Sequence, residues 1–120
     1  MLPAMRRRPS VNPILPVADL AAAVAFYRSA GFDVSSYDDG YAWVSHCGWE
    51  LFHLQLAAGL EPGANAAAAF VHVENTDAWR AALSATGCAD IGSIADMPWG
   101  MREFSFTDPS GNVVRIGHHL

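Results

Sequence analysis

Val17-Ala18-Asp19-Leu20-Ala21-Ala22-Ala23-Val24-Ala25-Phe26-Tyr27-Arg28-Ser29-Ala30-Gly31 leaves an apolar run, passes a capping carboxylate at Asp19 and stops at a glycine. Leu20, Ala23, Val24, Phe26 and Tyr27 supply apolar positions for a helix that Asp19 begins and Gly31 ends. The same order recurs from Val73 to Gly87: a strand end, a helix start at Thr76 or Asp77, apolar Trp79, Ala82 and Leu83, then a glycine. In each segment the glycine stands 14 positions after the valine, and a constant offset of 56 separates them. A repeat of this size points to one structural unit used twice.

The flanking residues complete the unit. Val11 to Val17 reads as a short strand, but Pro13 and Pro16 remove ladder donors, so it belongs at an edge or crosses to another subunit. Phe32–Tyr37 and Tyr41–His46 read as strands joined by Asp38-Asp39-Gly40, and Cys47-Gly48 turns the chain into a strand from Trp49 to about Ala57. After a loop from Ala58 to Ala67, strands are predicted at Phe70–Glu74, Ile91–Ala95, Met101–Thr107 and Val113–Gly117. Gly48 and Gly111 open the last strand of each half. The predicted class is α+β: two βαβββ repeats, about residues 11–57 and 68–118, forming a cup-shaped mixed sheet with helices outside.

The chain length of 120 suits one domain, here residues 11–120. Residues 1–10, with Pro3, Pro9 and Arg6 to Arg8, are expected to form a mobile basic arm. No apolar run approaches the ~20 residues of a membrane span, and no apolar segment follows the arginines as in a secretory signal, so a cytoplasmic location is expected. Outside the first eight residues, 4 basic side chains face 12 acidic ones. Such a body repels nucleic acid and anionic membrane and attracts a cationic ligand. Cys47 and Cys88 have no metal-type spacing and no disulfide framework, and are expected to be small buried thiols.

Trp99 lies between Pro98 and Gly100, on a constrained backbone that should present the ring rather than bury it. Tyr41, Trp43, Phe52 and Phe104 also fall on the predicted strands and are expected to line the cup, whereas Trp49 and Trp79 are assigned to the core.

Pro13-Ile14-Leu15-Pro16-Val17-Ala18-Asp19-Leu20, Ala25-Phe26-Tyr27, Gly31-Phe32 and Phe106-Thr107-Asp108-Pro109-Ser110-Gly111-Asn112 together resemble the vicinal oxygen chelate superfamily over about residues 12–118. That superfamily contains glyoxalases, extradiol dioxygenases, fosfomycin-modifying enzymes and bleomycin-binding proteins. The resemblance implies the glyoxalase/bleomycin resistance/dihydroxybiphenyl dioxygenase fold. In the enzyme branches a divalent metal is held by side chains on the first and last strand of each half. Counting along this chain puts those positions at Asn12, Phe52, Ala68 and Arg115, none of them a usual His or carboxylate ligand. No metal, no cofactor and no catalytic residue are therefore expected.

The run Pro98-Trp99-Gly100-Met101-Arg102-Glu103-Phe104 is similar to the signature of the bleomycin resistance branch. The resemblance implies that Trp99, beside Gly100, stacks on the drug's flat bithiazole opposite Tyr41, and that Asp38 and Asp39 face its cationic tail. It also implies that Pro13 marks where the first strand crosses to a partner, giving a strand-exchanged homodimer with two grooves. Tyr41 stands where that branch commonly has Phe, and Gly40 lengthens the preceding turn. The expected function is non-catalytic sequestration of a bleomycin-type antibiotic, conferring resistance. Two alternatives stay open: a metal-dependent lyase or dioxygenase using displaced ligands such as Glu50, His53 and His72, and a binding protein for another planar natural product.

Overall fold

Asp19 and Asn75 accept hydrogen bonds from the backbone N–H groups of Ala22 and Ala78, at 3.0 and 3.1 Å, and from these caps the two helices run. The computed structural model describes residues 1–7 and 9–120; Arg8, part of the expected basic arm, lies outside them. Repeat one comprises β1 (Ile14–Val17), α1 (Leu20–Ser29), β2 (Asp33–Asp38), β3 (Tyr41–His46) and β4 (Trp49–Leu56). Repeat two comprises β5 (Ala68–His72), α2 (Thr76–Ala85), β6 (Ala95–Asp96), β7 (Met101–Thr107) and β8 (Val113–His119). Two mixed sheets of four strands result, in the orders β1-β4-β3-β2 and β5-β8-β7-β6. Among the described residues no helix is long and apolar enough to cross a membrane.

The second cap is Asn75, one residue before the expected Thr76. Thr76 is buried, and its hydroxyl lies 2.6 Å from His118 Nδ1, tying α2 to β8. The run expected to form a strand at Ile91–Ala95 contributes one bridge, Ile91 to Phe106, and the two-residue β6. β1 is shorter than expected and pairs in parallel with β4 of its own chain, Ile14 opposite His53. The pairing extends back to Asn12: its Nδ2 donates to the carbonyls of Glu50 and Leu51, and Pro13 O accepts from His53 N.

One continuous core joins the repeats. Tyr27 on α1 lies edge-on to Phe52 at 5.3 Å, Phe32 at 5.9 Å and Phe106 of repeat two at 6.2 Å between ring centroids. Strand alternation sets which side chains reach it. Ala42, Val44, Phe52 and Leu54 are buried in the first sheet, and Phe104, Phe106, Val114 and Ile116 in the second. Phe52 and Phe104, expected on the cup wall, are therefore core residues, 0% and 3% exposed. Trp79 packs on Phe32 as core reasoning expects, but Trp49, at the start of β4 beside the hairpin turn, is 77% exposed. Cys47 is exposed at that tip with φ +50°, next to Gly48 at +80°, and Cys88 is half-buried, which pushes its thiol pKa up.

The turn Asp108-Pro109-Ser110-Gly111-Asn112 locks the repeats together. The buried Asp108 carboxylate accepts from Ser110 N at 2.9 Å, Asn112 N at 3.0 Å, Asn112 Nδ2 at 2.9 Å and the Tyr27 hydroxyl at 2.7 Å. Asn112 Nδ2 also donates to Pro16 O at 2.7 Å, and Ser110 Oγ accepts from Ala18 N at 3.0 Å, so the turn grips both ends of the β1–α1 connection. Gly111 has φ +85°, and a Cβ there would stand 2.3 Å from Pro62 O, so no other residue fits.

Asp108→Ala would leave several buried donors unpaired and is expected to cost about 3 kcal/mol or more in urea unfolding. Tyr27→Phe is expected to cost about 1.5–3 kcal/mol, the range for a hydrogen bond to a charged group. Burial first, and then the Asp108 carboxylate, hold the Tyr27 hydroxyl well above the ordinary tyrosine range. The folded state thus keeps this proton more tightly than the unfolded chain. Its contribution is complete below about pH 10 and declines as pH rises beyond that. Unfolding free energies measured between pH 8 and 11.5 should fall more steeply for wild type than for Tyr27→Phe.

Candidate functional site

The faces of the two sheets turned away from the helices carry the unusual side chains. On the first sheet, Tyr41 and Trp43 of β3 stand beside His53 of β4. The Tyr41 hydroxyl lies 2.6 Å from His53 Nδ1, and Trp43 lies edge-on to Tyr41 with ring centroids 6.0 Å apart. Tyr37 joins them, 73% exposed and edge-on to Trp43 at 6.1 Å. It was not among the expected site residues, although alternation from Ser35, which opposes Trp43, puts it on this face.

A second bulge, between Val44 and Ser45, changes the reading of β4. Phe52 opposes Val44 while Glu50 opposes Ser45, so Glu50 does not share the Phe52 face as simple alternation implies. Instead Glu50 Oε1 comes within 3.2 Å of His53 Nε2, a charge contact too poorly aligned to count as a hydrogen bond. Register also relocates the metal-ligand position counted to Phe52. Ile14 opposes His53 as Phe70, 56 residues later, opposes Arg115, making His53 the counterpart of Arg115. The four positions are then Asn12, His53, Ala68 and Arg115: one good donor, an amide already bonded to β4 carbonyls, a methyl group and a cation. Among the described residues no three His, Cys, Asp or Glu side chains converge as a metal ion requires. The displaced set does not assemble either: Glu50 meets His53, whereas His72 stacks on His119 at 5.7 Å. These residues do not fit the metal of the enzyme branches.

On the second sheet, Trp99 projects from the β6–β7 connection and is 57% exposed. Met97 N donates to Met101 O at 2.7 Å and Gly100 N to Met97 O at 3.0 Å, closing a three-residue hairpin loop with Gly100 at φ +81°. Pro98 and Gly100 thus hold the indole out, as the sequence implies. Its Nε1 donates to Glu103 Oε2 at 3.2 Å, and the guanidinium of Arg115 stands 5.8 Å from the ring centroid. The same guanidinium stands over the Phe70 ring, 5.4 Å from its centroid. Sequence inspection missed Phe70, Glu103 and Arg115 as one cluster; alternation along β5, β7 and β8 was the available signal.

Within one chain the two faces remain separate. Among the described residues no ring contact or hydrogen bond joins Tyr41 to Trp99. Asp38 and Asp39 border a hollow of about 660 Å³ between α1 and the β2–β3 hairpin, with Asp19 and Arg28. Asp38 Oδ1 accepts from Gly40 N at 2.8 Å.

Comparison with solved structures finds close geometric likeness to antibiotic-binding proteins. A bleomycin resistance determinant encoded on transposon Tn5 superposes with a TM-score of 0.84 at 20% identity, covering 93% of this chain and 98% of that one. A bleomycin-binding protein complexed with bleomycin gives 0.84 at 20% identity, covering 94% and 100%. The bleomycin-binding protein of bleomycin-producing Streptomyces verticillus, complexed with copper(II)-bleomycin, gives 0.77 at 26%, covering 93% and 97%. A search of curated protein sequences yields no match. Residues 10–116 match the family description as a whole, and the chain belongs to the Glyoxalase/Bleomycin resistance protein/Dioxygenase superfamily.

Proposed function

We propose that this protein binds and sequesters a planar antibiotic of the bleomycin type, as a homodimer and without chemistry of its own, and so confers resistance. The observation that carries the reading is Trp99: a tryptophan held out of the core by a hairpin loop and oriented by a buried carboxylate. Stacking on such a ring contributes about 1–3 kcal/mol. Tyr41, Trp43 and Tyr37 offer a second aromatic wall. The acidic body, with Asp38 and Asp39 at the hairpin tip, adds attraction for a cationic group.

Dimerisation supplies what one chain lacks. A groove needs the Tyr41 wall and the Trp99 wall opposite each other, and in our reading the first sheet of one protomer faces the second sheet of its partner. The surface of the single chain supports this. It exposes 7538 Å², against about 6,300 Å² expected for a compact monomer of this mass. Its radius of gyration is 15.0 Å, against about 13.6 Å for a compact domain of this length. In this reading the segment 1–11, whose described residues make no hydrogen bond with the rest of their chain, is the one available for exchange past Pro13.

Titrating bleomycin into wild type should quench tryptophan fluorescence, and Trp99→Ala should weaken binding by roughly fivefold or more. No quenching and no calorimetric signal with wild type at high micromolar drug would reject the assignment. In sedimentation experiments the full chain should run as a dimer. Deleting residues 1–11 should weaken dimerisation and drug binding together.

A further inference from the structure

Arg115 sits at the centre of the second sheet's open face. Its Nε and Nη2 both donate to Oε1 of Glu103, because Oε2 is engaged by Trp99 Nε1. The Glu103 side chain is only 8% exposed, whereas that of Arg115 is 40% exposed. The guanidinium stands over both Phe70 and Trp99, 5.4 and 5.8 Å from their ring centroids. Salt bridge and rings together hold its plane, and its remaining N–H groups have no protein acceptor among the described residues. A fixed, partly desolvated fork with unused donors, next to an exposed indole, is suited to reading an acceptor on a flat molecule.

We propose that Arg115 selects planar aromatic ligands that carry an anionic oxygen, a carboxylate or phenolate, at the ring edge. The oxygen accepts from the free N–H groups of Arg115 while the ring system lies against Trp99. This rests on the reading of Trp99 as a binding platform and defines the chemistry of the ligand edge that meets it. A cationic edge in the same orientation finds only donors on the guanidinium and no acceptor; a cationic tail elsewhere on the ligand is unaffected.

The test uses two probes with one ring system, anthraquinone-2-carboxylate and the neutral anthraquinone-2-carboxamide, titrated by tryptophan fluorescence and calorimetry beside bleomycin. Wild type should bind the acid at least about tenfold more tightly than the amide, the margin of one charge-assisted hydrogen bond. Arg115→Gln should remove the preference, and Arg115→Lys should keep part of it, having the charge without the planar fork. Because Arg115→Gln leaves Glu103 without its cation, the double variant Glu103→Gln/Arg115→Gln serves as the folded control, verified by its melting temperature. Equal affinity of wild type for the two probes, or a preference that survives in the double variant, overturns the inference. Binding of bleomycin without binding of the acid overturns this inference alone. Failure of all three molecules to bind overturns the reading of Trp99 as well.

Discussion

A carboxylate taken out of water is tolerated only when donors replace its hydration, and Asp108 has four of them. Two come from its own turn backbone, one from Asn112 and one from Tyr27 on the other repeat. The bond to Tyr27 reaches across 81 positions of sequence and meets the phenol at the centre of the aromatic core. Asn112 and Ser110 extend the grip to Pro16 and Ala18. The relation of β1 and α1 to the β7–β8 turn is therefore set by hydrogen bonds, and the rings of Phe32, Phe52 and Phe106 pack around Tyr27 within that frame. The helix-covered faces are thereby committed to the interior, and the opposite faces stay open.

Those open faces are variations on one plan. His53 and Arg115 occupy corresponding places in the two repeats, and each has a carboxylate beside it, Glu50 or Glu103, and aromatic rings next to it. In the first repeat the basic group is an imidazole bonded to Tyr41; in the second it is a guanidinium over the rings of Phe70 and Trp99. The enzyme branches of the superfamily are expected to place metal ligands at these positions. Here the same geometry supplies stacking surfaces and hydrogen-bond donors. The exposed Trp99 and the permanent charge of Arg115 give the second face a directional character that apolar packing alone would not.

Much of this fold was legible before any coordinates. The 56-residue offset identified the repeat, the capping residues and glycine stops placed both helices to within a residue or two, and Pro98 and Gly100 announced an exposed Trp99. These features are local: caps, turns and helical spacing act over a few residues, so the chain states them directly. The candidate site was less legible. Phe52 and Phe104 read as wall residues and are core, and Trp49 and Cys47, read as core and buried, are exposed. The single-residue bulge at Val44/Ser45 takes Glu50 off the Phe52 face and shifts the ligand position from Phe52 to His53. Alternation has a period of two, so one unannounced extra residue exchanges the faces of everything beyond it.

The sequence alone thus determined the repeat, the helices, the hairpin turns and the presentation of Trp99, because each depends on interactions between near neighbours. The tertiary structure alone decided which face of each strand is buried, that His53 rather than Phe52 corresponds to Arg115, and that Phe70, Arg115, Glu103 and Trp99 form one cluster. Those outcomes depend on strand register and on helices packing over one side of each sheet. Both are set by contacts between residues far apart in the chain, which no local pattern encodes.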